Sequence, residues 1–354
     1  MRKSTRYSLL LIFSLVAALA VVLFLRKEAP PEVARLLPES DAIVYLNLRP
    51  IRSATHFDRE WKKQPVPHSA DYQHFIDATG IVFERDLDAV AFALHRMDDP
   101  NGPNGPIAYS EVFEGRFDGT RLAQYLASIA TARENYAGHD IFTVPVASET
   151  LTTASGAKFE AIRSLRVAQL GYDTIAASNT PTEEQIHSII DRYRAAASPF
   201  AGSSLLSARY HDVPLLSSAW AIGHVGLPFS DNGRITVFGL QLPLPEDTTF
   251  VASLRFTTAL HMRIEEILPT PADASQSADA LSALLGLFRS IQAVQSQLHP
   301  GADANSAQNV AIHQFLESIR IRPEKDRTTL TATIPIDLLK QLTAATTDAA
   351  AGSH

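Results

Sequence analysis

Ile107-Ala-Tyr-Ser-Glu-Val-Phe-Glu-Gly-Arg-Phe-Asp-Gly-Thr-Arg-Leu-Ala-Gln-Tyr-Leu-Ala-Ser-Ile129 changes its period once, at Asp118. From Ile107 to Phe117 the run carries β-branched and aromatic residues and reads as a strand. Beyond it Leu122, Tyr125, Leu126 and Ile129 follow helical spacing, and Asp118 is placed to cap the first turn. A strand that hands over to a helix through one capping residue is the unit for reading the rest.

Upstream, Asp88 to His95 reads as a second strand, joined to Ile107 by the turn-rich run Met97 to Pro106. Ala42 to Leu48 reads as a third, and residues 53–80 read as a helix and loops. Downstream, a polar loop near 147–160 precedes a hairpin of Leu165–Leu170 and Thr174–Ser178 around Gly171-Tyr172-Asp173. The next helix is expected to start with Thr180 as N-cap, Pro181 at its first position and Glu183 completing a capping box. Ile186, Ile189, Ile190 and Tyr193 form its apolar stripe.

The second half reads in nearly the same order. Ser217 to Val225, with Trp220, is a strand; Ser230-Asp-Asn-Gly233 turns into another, Ile235 to Leu242; Thr249 to Phe256 is a third. Thr257 or Thr258 is expected to cap a helix presenting Leu260, Ile264, Ile267 and Leu268. Pro269 to Ala280 has a linker composition, and two inserted helices are expected at about 278–298 and 306–318. Ile319–Arg322 and Thr329–Ile334 form a hairpin, and a last helix from Pro335 carries Leu338, Leu339 and Leu342.

The fold class is therefore α+β. Two related halves are expected, each β-β-β-α then β-β-α, with antiparallel sheet covered by helices on one face. Arg116-Phe117 and Arg255-Phe256 echo each other before the first helix of each half. The segments are an anchor at 1–27, a proline-containing spacer at 28–38, halves at 39–200 and 201–342, and a flexible tail at 343–354.

The anchor is an uncharged run from Tyr7 to Leu25, between Arg2, Lys3, Arg6 and Arg26, Lys27. As a helix it spans about 28 Å, matching a hydrocarbon core of about 30 Å. Ala18-Leu19-Ala20 offers a signal-peptide cleavage site, but cleavage there leaves Val-Val-Leu-Phe-Leu as an unburied end. Retention in the cytoplasmic membrane as a single-pass helix is the expectation. The heavier basic flank puts the N-terminus inside and residues 28–354 outside, in the periplasm where an outer membrane exists. No cysteine is present, so no lipid-modified cysteine serves as anchor.

Apolar residues make up 45% of the chain, enough for a packed core. A net charge of −7 argues against a nucleic-acid partner. Twelve histidines invite a metal reading, yet no His-Glu-x-x-His spacing occurs. His56, His68 and His74 lie near Asp58 and Asp71; His261–Glu265 and His187–Asp191 share a four-residue spacing typical of surface pairs on helices. Gly202-Ser203-Ser204 follows a helix and is no nucleophile elbow, while Ser217-Ser218 reads as strand-edge polarity. Asn101-Gly-Pro-Asn-Gly-Pro106 lacks the backbone donors of a phosphate loop. Glu111 and Glu114 point to opposite faces of their strand, which weakens them as a carboxylate pair with Asp118 nearby. Trp220 reads as core, and Trp61 as a possible cleft residue. No catalytic, cofactor-binding or metal-ligating set is assigned.

Leu36-Leu-Pro-Glu-Ser-Asp-Ala-Ile-Val-Tyr-Leu-Asn-Leu48 resembles the opening of uncharacterised signal-anchored bacterial envelope proteins. Phe83-Glu-Arg-Asp-Leu-Asp88 and Phe113-Glu-Gly-Arg-Phe-Asp118 are similar to later parts of that group. The resemblance implies topology and no activity. The leading expectation is a non-enzymatic envelope module, held by residues 7–25 in the lipid bilayer, that binds an envelope protein or acts as scaffold. A carrier of an apolar ligand beneath residues 278–318 is the second. A hydrolase assembled from groups such as His56, His74, Glu114 and His261 is the third.

Overall fold

A computed structural model describes residues 29–55, 69–99, 105–145, 149–152, 158–161, 164–195, 202–224, 230–231, 234–237, 240–243, 248–257, 259–298 and 307–335. The apolar leader, the tail and the expected helix after Pro335 lie outside the described residues, as do His56, His68, Asp58 and Trp61.

The first half runs α1 (Glu32–Arg35), β1 (Ala42–Asn47), α2 (Leu48–Thr55), α3 (Ala70–Thr79), α4 (Phe83–Asp86), β2 (Leu87–Arg96) and β3 (Ile107–Gly115). Then come α5 (Gly119–Ile129), β4 (Ala132–Tyr136), β5 (His139–Pro145), β6 (Glu149–Thr152), β7 (Lys158–Ala161), β8 (Ser164–Gln169), β9 (Thr174–Ser178) and α6 (Glu184–Arg194). The second half runs α7 (Ser204–Arg209), β10 (Ala219–His224), β11 (Ser230–Asp231), β12 (Arg234–Val237), β13 (Leu240–Pro243), β14 (Thr249–Phe256) and β15 (Leu260–Ile267). It ends with α8 (Pro271–Leu298), α9 (Ala307–Ser318), β16 (Arg320–Glu324) and β17 (Arg327–Ile334).

The protein is mixed α+β, built on a large antiparallel sheet. Twelve strands run in the order β16-β17-β15-β14-β10-β1-β2-β3-β9-β8-β5-β4. β11–β13 form a separate three-stranded sheet and β6–β7 a two-stranded one. From the central pair outward, one side reads β1-β2-β3-β9-β8 and the other β10-β14-β15-β17-β16. The central pair is antiparallel, with Tyr45 opposite Trp220 and Ile43 opposite Ile222.

Helices cover both faces, not one as expected. Ile43, Tyr45, Trp220, Ile222 and Val251 point to a first face. There they meet Val33 and Ala34 of α1, Ile186, Ile189 and Ile190 of α6, and Leu205 and Leu206 of α7. The three α6 isoleucines are fully buried, worth about 2 kcal/mol each against exposure. On the second face, Leu122 and Leu126 of α5 pack on Phe142, Val144, Val167, Ile175 and Ala177. The same face at the other end carries α8, where Thr328 of β17 donates to the carbonyl of Ala274 at 2.8 Å. The sheet is apolar on both sides, so one helical layer cannot bury it.

Asp118 caps α5, accepting from the backbone N–H of Thr120 and Arg121 at 3.1 Å. Four other local readings fail. α6 starts at Glu184, not after Thr180: Thr180 is buried and bonded to Ser178 and to the Thr182 carbonyl, while Glu183 pairs with Arg166. Local bonds thus take the Thr180 hydroxyl and a distant arginine takes Glu183, the two side chains that a capping box needs. Leu260 to Ile267 is a strand, not a helix. Leu260 and Ile264 satisfy both periods, and eight-residue ladders to β14 and β17 decide between them. Ile235 to Leu242 divides into β12 and β13, outside the main sheet. The supposed linker after Pro269 is already helical from Pro271, with Thr270 accepting from the Asp273 N–H at 3.2 Å and Ala274 and Ala278 buried.

Glu111 lies opposite Phe92 and Ala177 on the second face. Desolvation raises its carboxyl from an ordinary 4.5 to about 7. The folded state therefore holds a proton that the unfolded chain releases between those values. The group costs nothing below pH 4.5, and its penalty grows as pH rises to about 7. Glu111→Gln is expected to match the parent's denaturant midpoint at pH 4.5 and to exceed it above pH 7. A gain of equal size at both values would show that the charge is not the cause.

Candidate functional site

Tyr45 on β1 and Trp220 on β10 face each other across the central pair, their rings stacked with centroids 5.4 Å apart. Tyr210 meets Trp220 edge-on at 5.5 Å. Tyr210 stands here because Ser203 caps α7, accepting from Leu206 N–H, and the short helix runs directly into a 3-10 turn at Tyr210–Asp212. Above these rings is a cavity of about 450 Å³. Leu206, Val213 and the turn Pro214–Ser217 form its walls, and Pro30 and Pro31 stand at its rim.

The cavity is floored by aromatic rings, and its polar lining comprises the Tyr45 and Tyr210 phenols with Ser207, His211 and Ser217. Burial, with Glu114 and Tyr210 nearby, raises the Tyr45 phenol to about 12, so it stays a protonated donor. Burial also raises Tyr210. A space of this size and lining suits a small apolar or aromatic group with one hydrogen-bonding atom.

Behind the 211–215 segment lies a second, more open cleft of about 650 Å³. Arg327 holds the segment to the sheet. Its Nη1 donates to Asp212 Oδ1 at 2.7 Å and to Glu265 Oε2 at 2.9 Å. Arg263 completes the cluster through Glu265 Oε1. Burial opposes the charge on Arg327, but its hydrogen bonds to Asp212 and Glu265 prevail and raise its pKa.

His211, Ser207 and Ser217 line the aromatic cavity, with Asp212 adjacent in sequence. They do not form a relay. His211 Nε2 is 3.3 Å from Asp212 Oδ1 and its side chain is 69% exposed, while Ser217 donates to the Pro214 carbonyl at 2.6 Å. One histidine–serine contact was not anticipated from sequence. His95 Nε2 lies 3.0 Å from Ser110 Oγ, which is 3.1 Å from Ser178 Oγ, itself 2.9 Å from Thr180. Burial lowers the His95 pKa and keeps the ring neutral. Both serines are fully buried, so this chain of hydroxyls satisfies core polarity and offers no nucleophile to solvent.

The residues weighed for chemistry are dispersed. His74 packs against Tyr125 on the second face, Glu114 accepts from Arg49 at 2.7 Å, and His261 contacts Thr257 and Thr333 on β15. His187 bonds Glu134 and stacks on Tyr136, whose hydroxyl donates to Asp191, so this pair ties α6 to β4. Glu265 belongs to the Arg327 cluster. Ser204 donates to Glu39 from both its N–H and its hydroxyl. Among the described residues there is no group of three or more His, Asp or Glu side chains able to hold a metal. Among them also, no helix is long and apolar enough to cross a membrane.

No family model matches the chain, and no curated protein matches it. Solved structures of TP0453 are similar to it. Crystal form III aligns with a TM-score of 0.41 at 12% identity, covering 89% of this chain and 99% of that one. Crystal form I gives 0.41 at 11%, covering 90% and 98%.

Arg327→Ala leaves the buried Asp212 carboxylate without its strongest partner. Breaking a fully buried pair costs about 3–5 kcal/mol; Arg327 is 29% exposed, so about 2 kcal/mol is expected by equilibrium unfolding. A loss below about 0.5 kcal/mol would mark the cluster as an ordinary surface network. Leu216 has φ +66°, a left-handed conformation that costs a branched residue about 1–2 kcal/mol. Leu216→Gly is expected to stabilise the fold by up to about 1 kcal/mol after glycine's own entropy. A destabilised variant would reveal packing that outweighs the strain.

Proposed function

We propose that this chain is a non-enzymatic, membrane-anchored module of the cell envelope, which binds a partner or serves as a scaffold outside the cytoplasmic membrane. Residues 7–25 are its single bilayer span, with the N-terminus inside and residues 28–354 outside. The observation that carries this reading is the aromatic cavity at the base of the spacer. It offers apolar contact and phenol hydroxyls, and its histidine and serines are not hydrogen-bonded to one another. Such a lining suits binding more than bond-breaking.

We also infer that the two halves, 39–200 and 201–342, arose by duplication. The support is the matching strand order on either side of the β1–β10 pair. In each half, the third strand leads to a second-face helix before the final hairpin.

An apolar ligand is the second reading, favoured by the cavity itself. It lies on the first face, beside Trp220, rather than beneath residues 278–318. Crosslinking in intact membranes followed by affinity capture of the full chain tests the leading reading. A discrete envelope protein recovered with the chain from alkali-washed membranes is the expected result. Loss of the chain in the alkaline wash would remove the anchor, and recovery of a bare monomer would remove the partner. Binding of a fluorescent fatty-acyl probe that Trp220→Ala abolishes would favour the ligand reading instead.

A further inference from the structure

The turn Pro214–Ser217 presents its two most apolar residues to solvent, Leu215 at 50% and Leu216 at 72% exposure. The turn closes through the Ser217 N–H on the Pro214 carbonyl at 3.3 Å, reinforced by the Ser217 hydroxyl. Leu216 occupies its third position with positive φ, a place that turns of this type give to glycine or asparagine. A leucine is thus held in a strained conformation with its side chain outward. Strain of this kind persists where the surroundings enforce it and tends to mark functional positions. Here Val213 is buried and Asp212 is clamped by Arg327, so the tip is fixed from behind.

Leu215 and Leu216 share their cavity with Pro30 and Pro31. Pro30 is only five Cα–Cα steps from Leu25, where the apolar run ends. That length of chain reaches at most about 18 Å when fully extended. The headgroup zone adds about 5–8 Å outside each side of the hydrocarbon core. If residues 7–25 span the bilayer, Pro30 stands within about 18 Å of the hydrocarbon edge, so the tip that shares its cavity is within reach of the headgroups.

We propose that Leu215 and Leu216 form a bilayer-contact element that inserts into the headgroup–acyl boundary and turns the first face of the sheet toward the membrane. The proposal rests on the anchored reading above. Since a spanning helix already fixes the protein to the membrane, the leucines set orientation and not residence. Among the described residues a rival apolar surface is on the second face, where Leu287, Ile291 and Val294 of α8 and Val310 of α9 are exposed. With the first face down, that surface points away from the lipid.

The chain has no cysteine, so Leu216→Cys and Ile291→Cys each give one labelling site. The full chain carrying an environment-sensitive fluorophore at either site is reconstituted into phosphatidylcholine–phosphatidylglycerol vesicles. Half of the preparations contain lipid with a nitroxide near the headgroup. Quenching severalfold stronger at 216 than at 291 is the expected result, with Leu215→Cys reproducing it if Leu216→Cys folds poorly. Quenching at 216 no stronger than at 291, in protein that floats with the vesicles, overturns the contact and leaves the anchor standing. Protein that does not float overturns both.

Discussion

The ladder between β1 and β10 is the pairing on which the rest of the structure depends. It joins two sets of strands that would otherwise each present an open, apolar edge, and it makes one sheet of them. The same ladder sets Tyr45 opposite Trp220, so the floor of the cavity is a product of the seam. Gly223 allows the approach: a Cβ there would lie 2.8 Å from the Cβ of Ala42. The aromatic cavity and the joint between halves are therefore one feature, and neither half alone contains it.

Burial on both faces then distributes the remaining tasks. Apolar helices seal the sheet, and the polar groups left inside are matched in small sets. His95 with its hydroxyls is neutral and satisfied, while the Arg327 cluster keeps its charges paired. Glu111 and Glu266 are exceptions, carboxyls that burial pushes up.

Much of the fold was legible because local and tertiary preferences agreed. Asp118 caps the helix whose period begins beside it, and β1, β2, β3, β8, β9, β10, β14 and β17 fall where alternating or β-rich runs place them. The failures arise where a bond that no periodicity shows decides between two local options. Leu260–Ile267 satisfies helical spacing until its two neighbouring strands are known. Thr180 looks like a cap until Ser178 claims it. The hairpin of β4 and β5 left no usual signal, since its two-residue turn uses Ala137 and Gly138, both at positive φ, where asparagine or aspartate before glycine is the recognisable form. The candidate site was least legible. Its lining comes from three stretches, Pro30–Pro31, Tyr45 and the run from Leu206 to Trp220, and no spacing rule connects them.

The two outer strands of the large sheet have a consequence for crowding. β16 carries Arg320, Arg322 and Pro323, and β4 carries Arg133 and Glu134. Charge and proline on an edge discourage another chain from adding its own strand. If residues 7–25 anchor the chain as proposed, its copies share a thin layer and meet far more often than they would in free solution. Edges of this kind let many copies stand side by side without fusing into a continuous β-structure.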